Sequence, residues 1–448
     1  MSCVTINTNK LLGKIRPMNC VNNGPVGLAE DPGRGNFQTY KKLKIPFART
    51  HDSNFFSGYG GPHTVDVGVI FPDFSKDVKD PDAYDFQLTD EYIQKIIAAG
   101  TEPFYRLGAS IEHWSKKYHT LPPKDNQKWA EVCEHIIRHY TEGWANGFTH
   151  KIRYWEIWNE PDLDAEDSDN KKCWSGTKLQ FFEFYKTVAL HLKKCFPHLK
   201  IGGPALAWDK AWLDDFLKMM SGEGCEEKRV PIDFLSWHRY MRNPWDVQED
   251  ADIVEAIMKK YGYEGAESHL NEWNYVRGWG TEAFNYSIET IIGMKGAAFT
   301  LAAMIVGQNV NKLDMMMYYD ARPTGMNGIW DLYLYRPLKT YYSFEAYNKL
   351  VEYGTQIETT TDDNDVYVLG ARSADGKVCT VFSNFVEEDT DAQPKTVRIS
   401  IDSVNSNPVS YLLDEANNLA EVPLLAKCGE NTYELTMAPN TVAMVDFI

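Results

Sequence analysis

No window of eighteen or more consecutive apolar residues occurs in this 448-residue chain, so no segment reads as a membrane-spanning helix. The longest apolar stretch, 296–310, is interrupted by Thr300 and Gly307 and predicts a buried helix. Polybasic runs are also missing. With 46 basic against 63 acidic residues the net charge is −17, which repels a polyphosphate backbone and excludes nucleic acid as a partner; no membrane partner is expected either. Cysteine is scarce, at eight scattered residues with no Cys-x-x-Cys pair, which predicts a reduced, cytoplasmic protein. The start, Met1-Ser-Cys-Val-Thr-Ile-Asn, lacks the charge and apolar stretch of a secretory signal; secretion stays open if a leader has been removed. What the chain has in excess is aromatic rings: 13 Trp, 25 Tyr and 21 Phe, or 13 % of all residues. At 43 % apolar and 24 % charged it can bury a sizeable core.

Composition changes near residue 350. From Val351 to Ile448 there are 17 acidic and 5 basic residues, and every Trp lies between Trp114 and Trp330. The tail is a series of short alternating runs, among them Val366-Tyr-Val-Leu-Gly and Thr396-Val-Arg-Ile-Ser-Ile, separated by turn residues. It predicts an antiparallel β-sandwich module over 351–448, joined by the N-terminal strand 1–7. Residues 8–350 alternate strand and helix. Strands are expected at Lys14–Asn19, Pro46–His51, Glu102–Leu107, Lys151–Trp158, Lys200–Gly203, Asp233–His238, Glu267–Trp273 and Lys312–Tyr319. Helices are expected at Asn126–Asn146, Lys178–Cys195, Ala251–Tyr261 and Phe284–Gly307, with Val65–Phe71 as an inserted hairpin. Eight strands with intervening helices give an α/β fold, a (β/α)₈ TIM barrel. The alternative, a doubly wound open sheet, lacks its marker, because the Gly-rich Ser57-Gly-Tyr-Gly-Gly-Pro62 does not open onto a helix.

Barrel chemistry sits at the C-terminal ends of the strands. The fourth ends Glu156-Ile-Trp-Asn-Glu160-Pro-Asp162 and the seventh His269-Leu-Asn-Glu272-Trp-Asn274. Two carboxylates facing each other across the mouth are what glycoside hydrolysis needs, one protonated to donate to the leaving oxygen and one ionised to attack the anomeric carbon. Taken singly, each is equally well a turn or salt-bridged carboxylate. Trp155, Trp158, Trp237, Trp273 and Trp279 lie near the predicted mouth, where indole faces stack on sugars, though strand alternation assigns at least half of them to the core.

These motifs, with Pro122-Pro-Lys-Asp-Asn-Gln-Lys-Trp129, Gly202-Gly-Pro-Ala and Pro231-Ile-Asp-Phe-Leu-Ser-Trp-His238-Arg-Tyr240, resemble glycoside hydrolase family 39, a family of retaining (β/α)₈ enzymes. The resemblance covers most of the chain. It implies Glu160 as general acid/base, Glu272 as nucleophile, Asn159 on the sugar 2-hydroxyl, Tyr240 bonded to the nucleophile, and His51 and His238 as hydroxyl-binding histidines. Trp279 and Tyr319 complete the predicted substrate-binding set. An oligosaccharide or glycoside is the expected substrate, with no cofactor and no metal, and a homo-oligomer is left open. The best single activity is β-xylosidase-like and exo-acting; a uronide, arabinoside or galactoside specificity, or a non-catalytic carbohydrate-binding protein, are the alternatives.

The chain departs from the family pattern after the third strand, where Arg106 stands in place of an expected Glu. Asp52 follows His51 where a small residue is usual, and Arg239 sits inside His238-Arg-Tyr240. Either Asp52 takes over the lost hydroxyl contact with Arg106 paired to it, which is preferred, or Arg106 meets a carboxylate on the sugar. His135 and His139 have a zinc-compatible spacing on a predicted helix but lack the Glu after the first His, and read as a solvated face. His191 and His198 have no partners in sequence. The acidic run Asp162–Asn170 lacks the turn glycine of a calcium loop and reads as a rim of the sugar site.

Overall fold

Eight short parallel strands, each followed by helical or looped chain, close into a barrel in the computed structural model of the protein, which describes residues 1–27, 33–52, 63–222, 228–388, 390, 392–403 and 407–447. An initial strand β1 (Ser2–Lys14) precedes the barrel strands β2 (Cys20–Asn22), β3 (Phe47–Arg49), β4 (Glu102–Leu107), β5 (Tyr154–Ile157), β6 (Lys200–Leu206), β7 (Phe234–Met241), β8 (Glu267–Tyr275) and β9 (Met315–Tyr318). Each pairs in parallel with the next and β9 closes on β2. The (β/α)₈ expectation holds.

Alternation along the strands fills the barrel in layers. Cys20, Phe47, Phe104, Tyr154, Phe234, Met315 and Met317 form an apolar floor. Two residues further along, the same strands present Asn22, Arg49, Arg106, Glu156 and Ser236, all buried, and β8 adds Asn271. A polar layer beneath the mouth is costly unless every group is partnered, and the partners are those of the site described below.

Differences from the sequence reading have local causes. The first barrel strand is Cys20–Asn22, not Lys14–Asn19; Pro17 cannot donate to a ladder, and Lys14 pairs with Thr355 as the end of β1. Val65–Phe71 is not a hairpin but holds the short helix Val67–Ile70, which buries Val67 and Ile70. The alternating valines gave a period-2 signal that packing overrides. The Gly-rich 57–62 lies outside the described residues. Asn126–Asn146 breaks at Gly143, whose φ is +77°, into Asn126–Thr141 and a 3₁₀ turn. Lys178–Cys195 is a single helix, opened by a Thr177/Gln180 capping box. The helix expected at 251–261 begins five residues earlier, at Asp246. Phe284–Gly307 is two helices, Thr281–Ile291 and Met294–Asn309, bent by 83°. The second is buried all round, and accepts hydrogen bonds from Ser343 at Ala297 and from Ser383 at Ala298. Among the described residues no single helix is long and apolar enough to cross a membrane.

The C-terminal strands are β10 (Thr355–Thr361), β11 (Val366–Arg372), β12 (Val378–Asn384), β13 (Lys395–Ile401), β14 (Val409–Leu413), β15 (Asn418–Glu421), β16 (Leu425–Gly429), β17 (Thr432–Met437) and β18 (Thr441–Phe447). They form one hydrogen-bonded sheet in the order β15-β14-β18-β12-β11-β10-β1-β13-β17-β16. It is antiparallel except where β1 runs parallel to β13. Residues of β11, β12 and β18 share a core with residues of β13 and β17, so the sheet folds over itself in a sandwich-like way. β1 lies at its centre.

Candidate active site

Arg49, at the end of β3, organises the mouth. Its Nε donates to Glu156 at 2.6 Å, Nη1 to Glu272 and to Asn22 at 3.0 Å each, and Nη2 to Asn159 Oδ1 at 2.6 Å. Burial works against its charge, yet Glu156 and Glu272 outweigh it and raise the guanidinium pKa above its usual value. Ser236 adds a 2.6 Å bond to Glu156, and Asn271 a further one. Much of the polar layer is therefore tied to one cation, Arg49, with Arg106 paired separately to Asp66. Sequence reading passed over Arg49, which looked like an ordinary charged strand residue; the one signal was its place, two residues before His51 on an inward-facing register.

Glu160 follows β5 through a strained turn. Trp158 and Glu160 have φ of +77° and +47°, a conformation that costs non-glycine residues about 1–3 kcal/mol each and gathers at functional sites. The turn is held by Trp158 N–H on the Leu107 carbonyl at 2.6 Å and Glu160 N–H on the Ala205 carbonyl at 2.8 Å. Gly108, with φ of +157°, passes beneath it, where a Cβ would sit 3.0 Å from Trp158 Cα. Asp162 accepts backbone N–H groups of Ala207, Trp208 and Asp209, fixing the next loop to this one.

Glu272, on β8, faces it. One oxygen of Glu160, one of Glu272 and a ring nitrogen of His238 all lie within 4.8 Å of one another. His238 Nδ1 is 2.8 Å from Glu160 Oε1 and 3.6 Å from Glu272 Oε2. The two carboxylates differ in their donors. Glu272 accepts from Tyr240 Oη at 2.6 Å and from Arg49, whereas Glu160 has His238 and only a distant thiol, Cys173 at 3.9 Å. Burial pushes Glu160 up to about 7, with Arg49 pulling back. Burial raises Glu272 as well, but His238, Arg49 and Tyr240 oppose it. Of the two, Glu272 carries the donors that favour an ionised carboxylate, and Glu160 is the one that burial equips to hold a proton. His238 is pushed down to about 4 by burial and is neutral at ordinary pH.

The second polar group lies beside His51, whose Nε2 is 3.9 Å from Glu272. Asp52 Oδ2 accepts from Tyr319 Oη and from Arg322, each at 2.9 Å, and His63 Nε2 is 3.2 Å from Asp52 Oδ1. Despite burial, Arg322, His51 and His63 hold the Asp52 carboxyl well below its usual range. Arg322 also bonds Asp320 at 3.1 Å. The tyrosine rings connect the two groups, with Tyr319 edge-on to both His51 and Tyr240.

Both readings of Arg106 are corrected. It is fully buried and pairs with Asp66 at 2.8 Å, not with Asp52, and its Nη2 also bonds the His51 carbonyl. The cation on Asp52 is Arg322, and sequence reading missed both Asp66 and Arg322 because their partners lie 40 and 270 positions away. Arg239 points outward, to Asp250 at 2.8 Å. His238 has Glu160 as a partner that the sequence did not reveal. Of the five tryptophans, Trp155, Trp158, Trp237 and Trp273 are core, and only Trp279 is exposed, edge-on to Tyr240 and stacked on Phe284. Trp114, Tyr118 and Tyr333 are further exposed rings in loops after β4 and β9, on the face that carries the mouth.

Two groups of side chains among the described residues have metal-ligand geometry: Glu160/His238/Glu272, and Glu134/His191/Cys195 away from the mouth. In the first, Arg49 at 3.0 Å from Glu272 already supplies the positive charge.

Comparison with known proteins decides the family. The model for "Glycosyl hydrolases family 39" matches residues 4–275. The chain belongs to glycoside hydrolase family 39. It is an O-glycosyl hydrolase with a carbohydrate substrate. A β-xylosidase from Geobacillus stearothermophilus is 25 % identical over 436 residues, covering 88 % of this chain and 77 % of that one. A β-xylosidase from Caldicellulosiruptor saccharolyticus is 28 % identical over 283 residues, 59 % of this chain and 51 % of its own length. The solved structure of a glucosidase from Croceicoccus marinus superposes with a TM-score of 0.77 at 22 % identity, covering 100 % of this chain and 98 % of that one. A family 51 α-L-arabinofuranosidase from Thermotoga petrophila gives 0.69 at 14 % identity, with both chains covered completely. These two share the fold.

Proposed function

We propose that this family 39 member is a retaining, exo-acting β-xylosidase-like glycosidase with Glu160 as general acid/base and Glu272 as nucleophile. The observation that carries the reading is the pair itself: oxygens within 4.8 Å, one carboxylate held by the two strong donors Arg49 and Tyr240 and the other by neither. Retaining enzymes keep their carboxyl groups about 5–5.5 Å apart, whereas inverting ones need about 6.5–9.5 Å to admit a water. In the first step the Glu160 proton passes to the glycosidic oxygen, the bond from that oxygen to the anomeric carbon breaks, and Glu272 forms an ester to the carbon. In the second, Glu160, now ionised, takes a proton from water as the water oxygen attacks the same carbon and Glu272 leaves. Arg49 holds Asn159 by its Oδ1, which leaves the amide N–H₂ to meet a sugar 2-hydroxyl, a contact that strengthens as charge develops.

The glycone is a neutral sugar. Arg49, Arg106 and Arg322 are each already paired with carboxylates. A uronate would bring a further negative charge beside Asp52 and Asp320, where these three arginines are already committed to carboxylates. Asp52 instead suits a hydroxyl, and the exposed Trp279 suits the leaving sugar.

The test is a panel of nitrophenyl glycosides with Glu160→Ala and Glu272→Ala. Release from pentosides, its loss in Glu272→Ala, and azide rescue of Glu160→Ala as a glycosyl azide of retained configuration are expected. No release from any pentoside removes the xylosidase reading. Unchanged hydrolysis in either variant removes the residue assignment.

A further inference from the structure

The helices Asn126–Thr141 and Lys178–Cys195 bring three side chains of different ligand type to one spot on the barrel's outer wall. Glu134 Oε2 is 2.7 Å from His191 Nε2, and Cys195 Sγ is 3.8 Å from the same nitrogen. All three ligand atoms lie within 4.8 Å of one another. His191 and Cys195, four residues apart, share one helix face, and Glu134 reaches across from the other helix. The glycosidase reading uses none of them. We propose that Glu134, His191 and Cys195 form a zinc site with one position open to water.

The donor set is what zinc takes, one carboxylate oxygen, one imidazole nitrogen and one thiolate, with three protein ligands and an open fourth position. Bonds of about 2.0–2.3 Å in a tetrahedron place donor atoms roughly 3.3–3.7 Å apart. The present spacings about His191 Nε2, 2.7 Å to Glu134 and 3.8 Å to Cys195, bracket that range. Arg138 Nε holds Glu134 Oε1 at 2.8 Å, so Oε2 is the oxygen left to bind. Gln127 Nε2 lies 3.0 Å from His191 Nδ1 and donates to Glu131 Oε1 at 3.1 Å, so metal binding at His191 Nε2, which puts the ring proton on Nδ1, requires this amide to turn away or flip. Binding breaks the Cys195 S–H bond, forms Zn–S and sends that one proton to solvent; Glu134 is already ionised and His191 binds as the neutral ring.

The zinc-compatible pair that the sequence offered is not this site. His135 Nδ1 lies on the Glu131 carbonyl at 2.8 Å, and His139 is held between the Trp144 carbonyl and Asp90.

Cobalt(II) tests the proposal on the full-length chain, with the exposed Cys3 and Cys428, and also Cys225, replaced by serine. Expected are a sulfur-to-cobalt charge-transfer band with tetrahedral visible bands, displacement by one equivalent of zinc, and release of one proton per metal. Cys195→Ser should abolish the charge-transfer band. His191→Ala should weaken zinc binding by at least about 10–100-fold, the loss seen when even an outer partner of a ligand is removed. Both variants should keep full glycosidase turnover, which shows that they fold. No cobalt band in the parent protein, or a band that persists in Cys195→Ser, overturns the proposal. Turnover reports on the active site separately, so failure here leaves the glycosidase reading untouched.

Discussion

Replacing Arg106 with methionine should cost stability and spare chemistry. Its guanidinium is fully buried, 2.8 Å from an Asp66 carboxylate that is itself 1 % exposed. Without it, Asp66 keeps, among the described residues, the Ser110 hydroxyl and the His63 N–H, both neutral donors. Removing one partner of a buried pair typically costs about 3–5 kcal/mol, because the other charge is left uncompensated. That is a loss in folding equilibrium between about a hundredfold and a few thousandfold. The double variant Arg106→Met/Asp66→Asn should recover part of it, since no unpaired charge remains. Equilibrium urea unfolding is the assay, read as a fall in midpoint at constant slope, beside kcat/KM measured well below the transition. Arg106 also holds the His51 carbonyl, so kcat/KM should fall by less than about tenfold, under 1.4 kcal/mol. A loss of several hundredfold in kcat/KM with an unchanged urea midpoint would mean that Arg106 meets the substrate, and would refute the pairing with Asp66 as its role.

Tyr240→Phe removes the 2.6 Å donor on Glu272 and should lower kcat by about 10²–10³, the scale for a preorganised donor at a reacting oxygen, with near-native thermal unfolding. The alkaline limb of kcat/KM should lie near the Glu160 value of about 7, because activity needs the protonated acid and is lost as pH rises through that value; in Glu160→Ala, assayed with an activated leaving group, that limb should vanish. The same shift has a stability sign. A carboxyl raised in the folded state stabilises below its unfolded pKa and loses that contribution as pH climbs through the folded value, so Glu160→Gln should unfold at higher denaturant than the parent at pH 8, by up to roughly 3 kcal/mol, and equal stability at pH 8 would contradict the burial argument. Trp279→Ala should raise KM for disaccharides several-fold and leave the unfolding midpoint unchanged, since the ring is 65 % exposed; a fall in kcat alone would place it elsewhere.

The barrel, the sheet and the pair Glu160/Glu272 were legible because each has a local signature: strand-length apolar runs, alternation, and carboxylates at the ends of two strands. The charge network around them was not. Arg49 joins residues up to 223 positions apart, and Arg322 reaches Asp52 across 270, so no window of sequence contains either pairing. Arg106 and Asp52 were close enough in register to suggest each other, and each took a partner from a loop. Val65–Phe71 failed for the opposite reason: its local pattern was clear, but four residues of helix bury Val67 and Ile70 in place of an alternating valine face.

β1 sits between β10 and β13, hydrogen-bonded to both, and so a strand made before the barrel joins a sheet whose other members are made after it. At about 5–20 residues per second, it waits tens of seconds on the ribosome while the whole barrel emerges. During that interval both of its edges are open, the condition under which strands pair wrongly. The alternation that buries Val4 and Ile6 also turns Cys3, Thr5 and Asn7 to the opposite face, which keeps the waiting strand half hydrophilic. Barrel and sheet are thus clamped together at both ends of the barrel's chain, by β1 ahead of β2 and by β10 after β9.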